Sequence, residues 1–456
     1  MPPPPPPQPP PPPPPPPPPS SPPPLNAHRH PLPPAPSPPT ALLLAPGPSP
    51  TRALALLFPD ASARLFATLP SPATSPPPTP VPSPLAAAAC FVLLLPSSHL
   101  LFLSAHPSPA SPAVHLRAYS LAAAGRFAPA PLAFRRRASP AALPLHGLPF
   151  GLGVRLAAGV NAVALLSPAA GQIWLLAPRM AADGRTLQLH KCAVVELESA
   201  RPVYAMQVAM AKLLLGEAGG VRVFPLRSLM KGGRERKDAA GALARKSLHK
   251  KNGVLNGLIV PVGRGGDARG AQGDAASGCK LTTLRVKQSS GSYSSIFLTF
   301  NQVDHNSQGG VNLTKSVKAV SIQPFSKEKF LVLDSAGVLH VFSHELAPEA
   351  TKTYSLDCAM KVQSFAVFPS SLTKTQILWV SDGAHSIHMV STLPAFDVES
   401  PKSDNGDCDE ERELATIKLS AIEAIFTSEK VQDIVSISKD SVLILGQGNM
   451  FLYGTA

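Results

Sequence analysis

Residues 330–343 read Phe-Leu-Val-Leu-Asp-Ser-Ala-Gly-Val-Leu-His-Val-Phe-Ser. An apolar run is followed by a tight polar turn and then by a second run in which side chains alternate in direction. A period of two is typical of a β-strand. Gly337 lies in the turn, where short hairpin connections need a positive φ that glycine adopts without steric strain. The stretch therefore predicts a β-hairpin.

The same pattern recurs along the chain, with weaker turns in its first copies. Spacings between copies are about 36 to about 65 residues, apart from two longer gaps, and β-units of that length indicate propeller blades. A four-stranded blade cannot bury both faces alone, so we predict an all-β, seven-bladed β-propeller; an all-β sandwich with irregular hairpins is the alternative. The further copies are 55–69, 91–105, 163–177, 213–226, 377–391 and 442–453.

Over residues 40–456 the chain resembles the WD40-like β-propeller superfamily. It departs from that family because it has no Gly-His or Trp-Asp dipeptide, and its two tryptophans, Trp174 and Trp379, lie inside expected strands. The Asp-His-Ser/Thr-Trp hydrogen-bond network of the repeat is therefore not expected, and closure should depend on packing and strand pairing. The resemblance implies a platform for protein–protein interactions.

Further strands are expected before the last three hairpins, at 317–324, at 362–368, and at 420–426 together with 431–436. We interpret these as inner strands. The chain ends after the third strand of the last blade, so its fourth strand is expected from the other end, at residues 40–45. Deleting residues 1–50 should then destabilise the ring, whereas deleting residues 1–35 should not.

Proline dominates the beginning of the chain, which holds most of its 57 prolines. Residues 1–24 are nearly pure proline, which favours an extended polyproline II rod and cannot form a core. We predict a disordered arm over residues 1–38 and a propeller domain over residues 39–456. Proline-recognition modules are possible partners for residues 1–24; an expanded repeat without a partner is the alternative.

Charge is concentrated in two expected disordered insertions. The chain carries a net charge of +13, and residues 231–287 hold thirteen Lys and Arg against four acids in a Gly-rich context. Residues 397–413 form an acidic insertion. The candidate partner or nuclear-import patch consists of Arg234, Arg236, Lys237, Arg245, Lys246, Lys250 and Lys251.

The basic insertion has several possible roles. It could be a solvated loop, an import signal helped by residues 135–137, a contact for nucleic acid or an anionic surface, or a partner of the acidic insertion. Residues 231–287 contain no aromatic side chain on which a base could stack, which weakens the nucleic-acid interpretation.

Motifs for chemistry are largely missing from the sequence. There is no Gly-x-Ser-x-Gly nucleophile motif and no Gly-Lys-Ser/Thr phosphate loop. The pairs His340 with His344 and His385 with His388 do not have the spacing of a chelate in a strand. We therefore predict no catalytic, cofactor-binding or metal-binding residue, and no small-molecule substrate.

The five cysteines stand singly, which favours a reducing compartment and argues against both disulfides and zinc. Without a secretory signal or a bilayer-spanning apolar segment, we expect a protein of the cytoplasm or nucleus that does not contact a membrane.

The sequence favours a non-catalytic propeller scaffold that mediates protein–protein interactions. The alternative is a nucleic-acid- or chromatin-associated propeller that binds through residues 231–287. A propeller enzyme is less favoured, because the expected inner strands at 317–324, 362–368 and 420–426 carry only Lys318 and Glu423 as charged residues.

Overall fold

The computed structural model describes the strands and most of the connections between them. The proline tract, the candidate basic patch and the acidic insertion lie outside the described residues. Those described are 26–47, 52–69, 77–82, 88–108, 110–122, 125–135, 137–231, 283–289, 295–300, 317–326, 328–343, 353–357, 360–368, 376–392 and 416–454.

The described strands, numbered β1–β33 along the chain, pair into seven mainly antiparallel sheets, which we call blades I–VII in chain order. Blade I contains β2 (Ala41–Leu44), β3 (Leu54–Leu57), β4 (Ala63–Phe66) and β5 (Thr79–Val81). Blade II contains β6 (Ala88–Leu94), β7 (His99–Ser108) and β8 (Ser111–Leu121), with β9 (Phe127–Ala130) and β12 (Leu143–Pro149) sharing the outer edge of β8.

Blade III has the most strands. It contains β13 (Arg155–Ala158), β14 (Val163–Ser167), β15 (Gln172–Met180) and β16 (Leu187–Glu196). Two strands, β10 (Leu132–Phe134) and β20 (Leu284–Lys287), pair parallel to β16, and β11 (Arg137–Ser139) pairs with β10. Blade IV contains β17 (Ala205–Ala209), β18 (Lys212–Glu217), β19 (Gly220–Pro225) and β21 (Ile296–Thr299).

Blades V to VII complete the set. Blade V contains β22 (Ala319–Pro324), β23 (Lys329–Asp334), β24 (Leu339–Ser343), β25 (Thr353–Asp357) and β29 (Thr416–Lys418). Blade VI contains β26 (Ser364–Val367), β27 (Gln376–Ser381), β28 (Ser386–Thr392) and β30 (Ser420–Phe426). Blade VII contains β31 (Asp433–Ser438), β32 (Ser441–Leu445), β33 (Asn449–Gly454) and, from the beginning of the chain, β1 (Asn26–Pro31).

The sheets close into a ring. Each pair of neighbouring blades shares an apolar cluster, and the last of these joins blade VII to blade I through Leu443 and Leu54. The first strands of the blades also contact one another in a complete cycle from β2 through β31 and back to β2. The predicted propeller is thereby confirmed.

The predicted hairpins are present at all seven places. Second strands such as β14 are buried along their whole length because each blade packs between two neighbours. In blade II the predicted hairpin joins the first and second strands rather than the second and third. The expected inner strand at 420–426 is wrong: β30 is the outermost strand of blade VI, and β31 is the inner strand of blade VII.

The ring is closed by the beginning of the chain, as expected, but by a different segment. Residues 26–31 form β1, which pairs antiparallel with β33 over six positions. The apolar segment 41–44 is instead β2, the inner strand of blade I. An outermost strand is exposed and needs few apolar residues, whereas an inner strand is packed against its neighbours, which explains the wrong assignment. Residues 26–38, which were expected to belong to the disordered arm, are therefore described as part of the ring, whereas residues 1–25 lie outside the described residues.

Both charged insertions are excursions within a blade rather than between blades. The basic one leaves blade IV after β19 and a short helix, α1 (Leu226–Met230), and the acidic one leaves blade VI after β28. Before each excursion returns to its own blade, it forms one strand on the preceding blade. This strand is β20, parallel to β16 of blade III, for the basic excursion, and β29, parallel to β25 of blade V, for the acidic one. The expected basic insertion therefore ends before Leu284.

One face of the ring, which we call the hairpin face, holds the turns between the second and third strands of the blades. It also holds the lead-in of each blade, which is the segment just before its first strand. From blade IV onward, each turn is hydrogen-bonded to the lead-in of the following blade. The third strands end on the opposite face because neighbouring strands are antiparallel, so both charged excursions leave the ring from that opposite face. The bonds are Gly219 N to Val317 O (2.7 Å), Val362 N to Gly337 O (3.2 Å), Val431 N to Ala384 O (2.7 Å) and Leu32 N to Gly448 O (3.0 Å).

Helical structure is minor in the described part of the chain. Besides α1 there is a 3-10 turn at Pro168–Ala170, capped by the Ser167 hydroxyl. None of the helices seen there has the length and apolar character needed to cross a bilayer.

Candidate interaction surfaces

Two of the histidines singled out in the sequence, His340 and His385, have structural partners. His340 is buried on β24, and its Nε2 lies 2.8 Å from Oδ2 of Asp334. Burial acts to raise the pKa of Asp334, but hydrogen bonds from His340 and from the Val338 and Ala336 N–H groups hold it below its usual value. The pair fixes the turn of blade V, so one Asp–His contact exists here without the repeat signature.

The other histidines do not assemble into a site either. Nδ1 of His385 lies 3.3 Å from the carbonyl oxygen of Thr427. His388 lies on β28. His344 lies outside the described residues. Within the ranges that the structure describes, no group of three His, Cys, Asp or Glu side chains could hold a metal ion.

Two of the five cysteines are described, and both are free thiols. Cys90 is buried between blades II and III, and this burial raises the pKa of its thiol to about 12. Burial likewise raises the pKa of Cys192. Since the thiolate is the reactive form, both groups are held in the unreactive state.

The inner strands carry little charge. Ile422 and Glu423, which were expected on an inner strand, lie on β30 at the outer rim, and Lys318 precedes β22 with its Nζ 4.9 Å from the Tyr204 ring centroid. Among the described inner strands, the charged residues are Arg155 and Asp433, in blades III and VII. Asp433 lies inside the expected strand 431–436, but the sequence-based reasoning did not count it among the charged inner residues.

The point where the basic excursion rejoins the ring is held by a buried polar network. Arg222 on β19 donates from Nε to Glu217 Oε1 at 2.7 Å and from Nη2 to Oε2 at 3.2 Å, and both side chains are buried. Gln288, fully buried just after β20, donates to the same Glu217 oxygen at 2.9 Å and to the Arg201 carbonyl at 3.0 Å. The side-chain oxygen Oε1 of Gln288 accepts a hydrogen bond from the Glu198 backbone N–H at 2.9 Å. Blades III and IV are thereby tied together beside the excursion.

Part of the expected disordered arm lies on the hairpin face. Residues 32–39 run from β1 in blade VII to β2 in blade I. The Arg64 guanidinium donates to the carbonyl oxygens of Pro33 (2.7 Å) and Pro34 (2.5 Å). Carbonyl acceptors are what a proline-rich segment offers, because proline has no N–H. The residues expected to bind proline-recognition modules, 1–24, precede this segment and lie outside the described residues.

The outer rim of blade VI exposes an apolar strand. On β30, Ile422 is 40% and Phe426 75% exposed, whereas Ile425 between them is buried in the core shared with blade VII. In the described part of the chain, no strand pairs with the outer edge of β30. In blade V, by contrast, the outer strand β25 is covered by β29. Blade VI thus combines an open edge with exposed apolar side chains.

The chain resembles known proteins in its structure but not in its sequence. No family model and no curated protein matches the sequence. Among solved structures, the β-propeller domain of Cps50 (Swd1) from Myceliophteria thermophila matches with 10% identity and a TM-score of 0.47 over 95% of this chain and 100% of that one. Raptor from Chaetomium thermophilum matches with 9% identity and a TM-score of 0.44 over 92% of this chain.

The chain spans 28% of the length of Raptor. Its own strand pairing, inter-blade cores and cycle of inner strands define the architecture independently. The chain has the fold of a β-propeller, and its sequence lacks the Gly-His and Trp-Asp dipeptides.

Proposed function

We propose that this protein is a non-catalytic scaffold that binds other proteins in the cytoplasm or nucleus, and that the rim of blade VI is one of its contact surfaces. The observation that carries the proposal is the open edge of β30 with its exposed Ile422 and Phe426. Native proteins usually cover, charge or shorten such edges. An edge that is left apolar is typical of a surface that receives a partner.

The rest of the ring supports the proposal. Outer edges in this protein accept added strands repeatedly: β10 and β20 pair with β16, and β29 pairs with β25. A partner segment pairing with β30 would use the same main-chain geometry, and apolar side chains of that segment would cover Phe426.

The test uses Phe426→Lys and Ile422→Lys in the full chain. Partners are identified by proximity labelling and compared with those of the unmodified protein. Leu152→Lys is the matched control, because Leu152 is 94% exposed in a loop outside the strands. We expect the rim variants to lose a shared subset of partners that the Leu152 variant keeps. Identical partner sets for all variants would refute the role of this edge.

Nucleic-acid or chromatin binding through the basic insertion is the second candidate function. It is supported by the excess of Lys and Arg in residues 231–287, and the buried Gln288 network gives that excursion a fixed point of return. Replacing the seven patch residues by Gln should abolish salt-dependent binding to RNA and to duplex DNA. Unchanged binding would rule out the patch as the contact. The patch residues are Arg234, Arg236, Lys237, Arg245, Lys246, Lys250 and Lys251.

Residues 1–24 are proposed as a ligand for aromatic-groove proline-recognition modules. Deleting these residues leaves β1 intact, so the loss of binding can be separated from loss of folding. Isothermal titration with a panel of SH3, WW and profilin domains should show binding that depends on this tract. A full-length protein that binds none of them would contradict the idea.

A further inference from the structure

A second surface, on the opposite part of the rim, has a different chemistry. The outer strands of blades II and III enclose a cavity of about 410 Å³, which we call the rim groove. One wall comes from β10 and the start of β11, and the other from β12. Its lining residues are Phe134, Arg135, Arg137, Leu143, Pro144 and His146.

Two buried aromatic rings hold cations in and beside the groove. Phe134 stacks on Trp174 with ring centroids 6.1 Å apart and planes at 24°. Nζ of Lys191 lies 3.8 Å from the Trp174 centroid, and Cζ of Arg135 lies 5.4 Å from the Phe134 centroid. Cations over ring faces are attracted by the ring quadrupole. Arg135 also has a φ of +56° in the tight turn between β10 and β11, so the direction in which its side chain leaves the backbone is set by the turn.

The groove concentrates positive charge without neutralising it. Among the described residues, neither Arg135, Arg137 nor Lys191 forms a salt bridge with an acid. Burial, followed by repulsion from Arg135 and Arg285, lowers the pKa of Lys191. Over residues 1–182, which supply most of the strands of blades I–III, the sequence has ten Arg, no Lys and a single acid, Asp60. Two lining arginines, with Lys191 beside them and no counter-charge, call for an anionic ligand.

The groove adjoins an open strand edge. In the described sheet, β11 is the terminal strand, and Arg137 and Ala138 on it are exposed. An extended peptide can pair with such an edge while its side chains reach the neighbouring pocket. Arginine guanidinium groups bind carboxylates through two parallel hydrogen bonds. Stacking of nucleic-acid bases is disfavoured, because Phe134 and Trp174 are buried and already covered by the protein's own cations.

We propose that the rim groove binds an acidic, extended segment of a partner protein. The segment pairs with β11 and places carboxylates against Arg135 and Arg137. This inference rests on the proposed scaffold function and adds the chemistry of one of its partners.

The experiment measures binding to the full chain by fluorescence anisotropy. The probes are a labelled peptide in which glutamate alternates with serine, the same peptide with glutamine for glutamate, and a labelled oligouridylate. Variants are Arg135→Gln combined with Arg137→Gln, and, as matched control, Arg126→Gln, an exposed arginine in the β8–β9 turn. The variant lacking the seven patch cations separates the groove from the basic insertion.

We expect the glutamate peptide to bind the unmodified, Arg126 and patch variants, and to bind the groove double variant about tenfold more weakly or worse. The glutamine peptide should bind none of them. Equal affinity of the groove double variant and the unmodified protein for the glutamate peptide would overturn the proposal, as would tighter, groove-dependent binding of oligouridylate. If the Phe426→Lys variant still loses partners in that case, the proposed scaffold function stands and only the proposed role of the rim groove fails.

Discussion

Asp433 Oδ2 accepts a hydrogen bond from the backbone N–H of Leu42 at 2.8 Å, across 391 positions of sequence. Asp433 begins β31, the inner strand of blade VII, and Leu42 lies on β2, the inner strand of blade I. The bond therefore crosses the joint between the last blade and the first. Burial raises the pKa of Asp433 to about 6, so the joint is sensitive to pH.

Asp433→Asn should stabilise the protein at neutral pH. The folded-state pKa of Asp433 lies above its unfolded value of 3.8, so the folded state binds the proton more tightly. The stabilisation that the protonated Asp433 carboxyl group contributes to the folded state is complete below about pH 4 and is lost as pH rises through about 6. The asparagine stays uncharged and its oxygen can still accept the Leu42 N–H. We expect a gain of about 3 kcal/mol at pH 7.5 and little change at pH 4, measured by urea unfolding.

Asp183→Asn is the control of opposite sign. Hydrogen bonds from the Thr186 side chain and backbone and from the Arg185 backbone lower the pKa of the exposed Asp183 to about 2. Its contribution is therefore present above about pH 4 and is lost as pH falls through about 2. The substitution should weaken the fold slightly at neutral pH. If Asp433→Asn also weakened it there, the charged carboxylate would not be the destabilising group.

Removal of the closing strand should destabilise the whole ring, which reverses the sequence-based expectation that residues 1–35 can be deleted without effect. Deleting residues 1–25 leaves β1 in place, whereas deleting residues 1–35 removes its pairing with β33 and the hydrogen bond from Arg29 Nε to Asn449 Oδ1. With main-chain hydrogen bonds contributing about 1 kcal/mol each, we expect a loss of roughly 3 kcal/mol for the longer deletion. Thermal unfolding of both proteins provides the comparison. Equal melting temperatures would mean that β1 adds nothing to closure.

The buried pair Glu217–Arg222 should show strong coupling. Arg222→Met leaves the Glu217 carboxylate buried with Gln288 as its remaining side-chain donor, and loss of one partner of a buried pair costs about 3–5 kcal/mol. Adding Glu217→Gln removes the uncompensated charge, so the double variant should be more stable than the single one. Denaturant unfolding measures the cycle, and hydrogen exchange at residues 284–288 reports on the return strand. Additive effects would contradict the coupling.

Gly220→Ala should be poorly tolerated. A Cβ there would collide with the carbonyl oxygen of Leu298 on β21, the strand paired with β19. We expect a loss of about 2–3 kcal/mol by overpacking. At Gly448 the nearest atom to an added Cβ is 3.8 Å away, so Gly448→Ala serves as the control and should change the melting temperature little. Similar effects of the two substitutions would show that blade IV relaxes to accept the methyl group.

Edge and closing strands were the hardest parts to predict from sequence. Residues 26–31, Asn-Ala-His-Arg-His-Pro, have no apolar alternation, because β1 lies on the outer side of blade VII, where the side chains of residues 27–29 are exposed. Similarly, the alternation at 420–426 predicts a strand but does not distinguish an inner strand from an outer one. Position within a blade depends on which strands pair, and pairing is a property of the closed ring.

The candidate surfaces were not visible in the sequence for the same reason. Arg135 and Arg137 stood out as part of the basic triplet at 135–137, but the groove also needs β12 and the stacked pair of Phe134 and Trp174, which come together only when blades II and III pack. Phe426 was one apolar residue of an expected strand. Its exposure follows from the place of β30 at the outer edge of blade VI.

By itself, the sequence determined the all-β class, the seven hairpins and the propeller, because each hairpin carries its own turn and its own alternation of apolar side chains. Only the tertiary structure decided which segment closes the ring, which edges remain open and which distant cations share a groove. Those features arise from contacts between blades, and local sequence patterns hold no information about which blade a strand will meet.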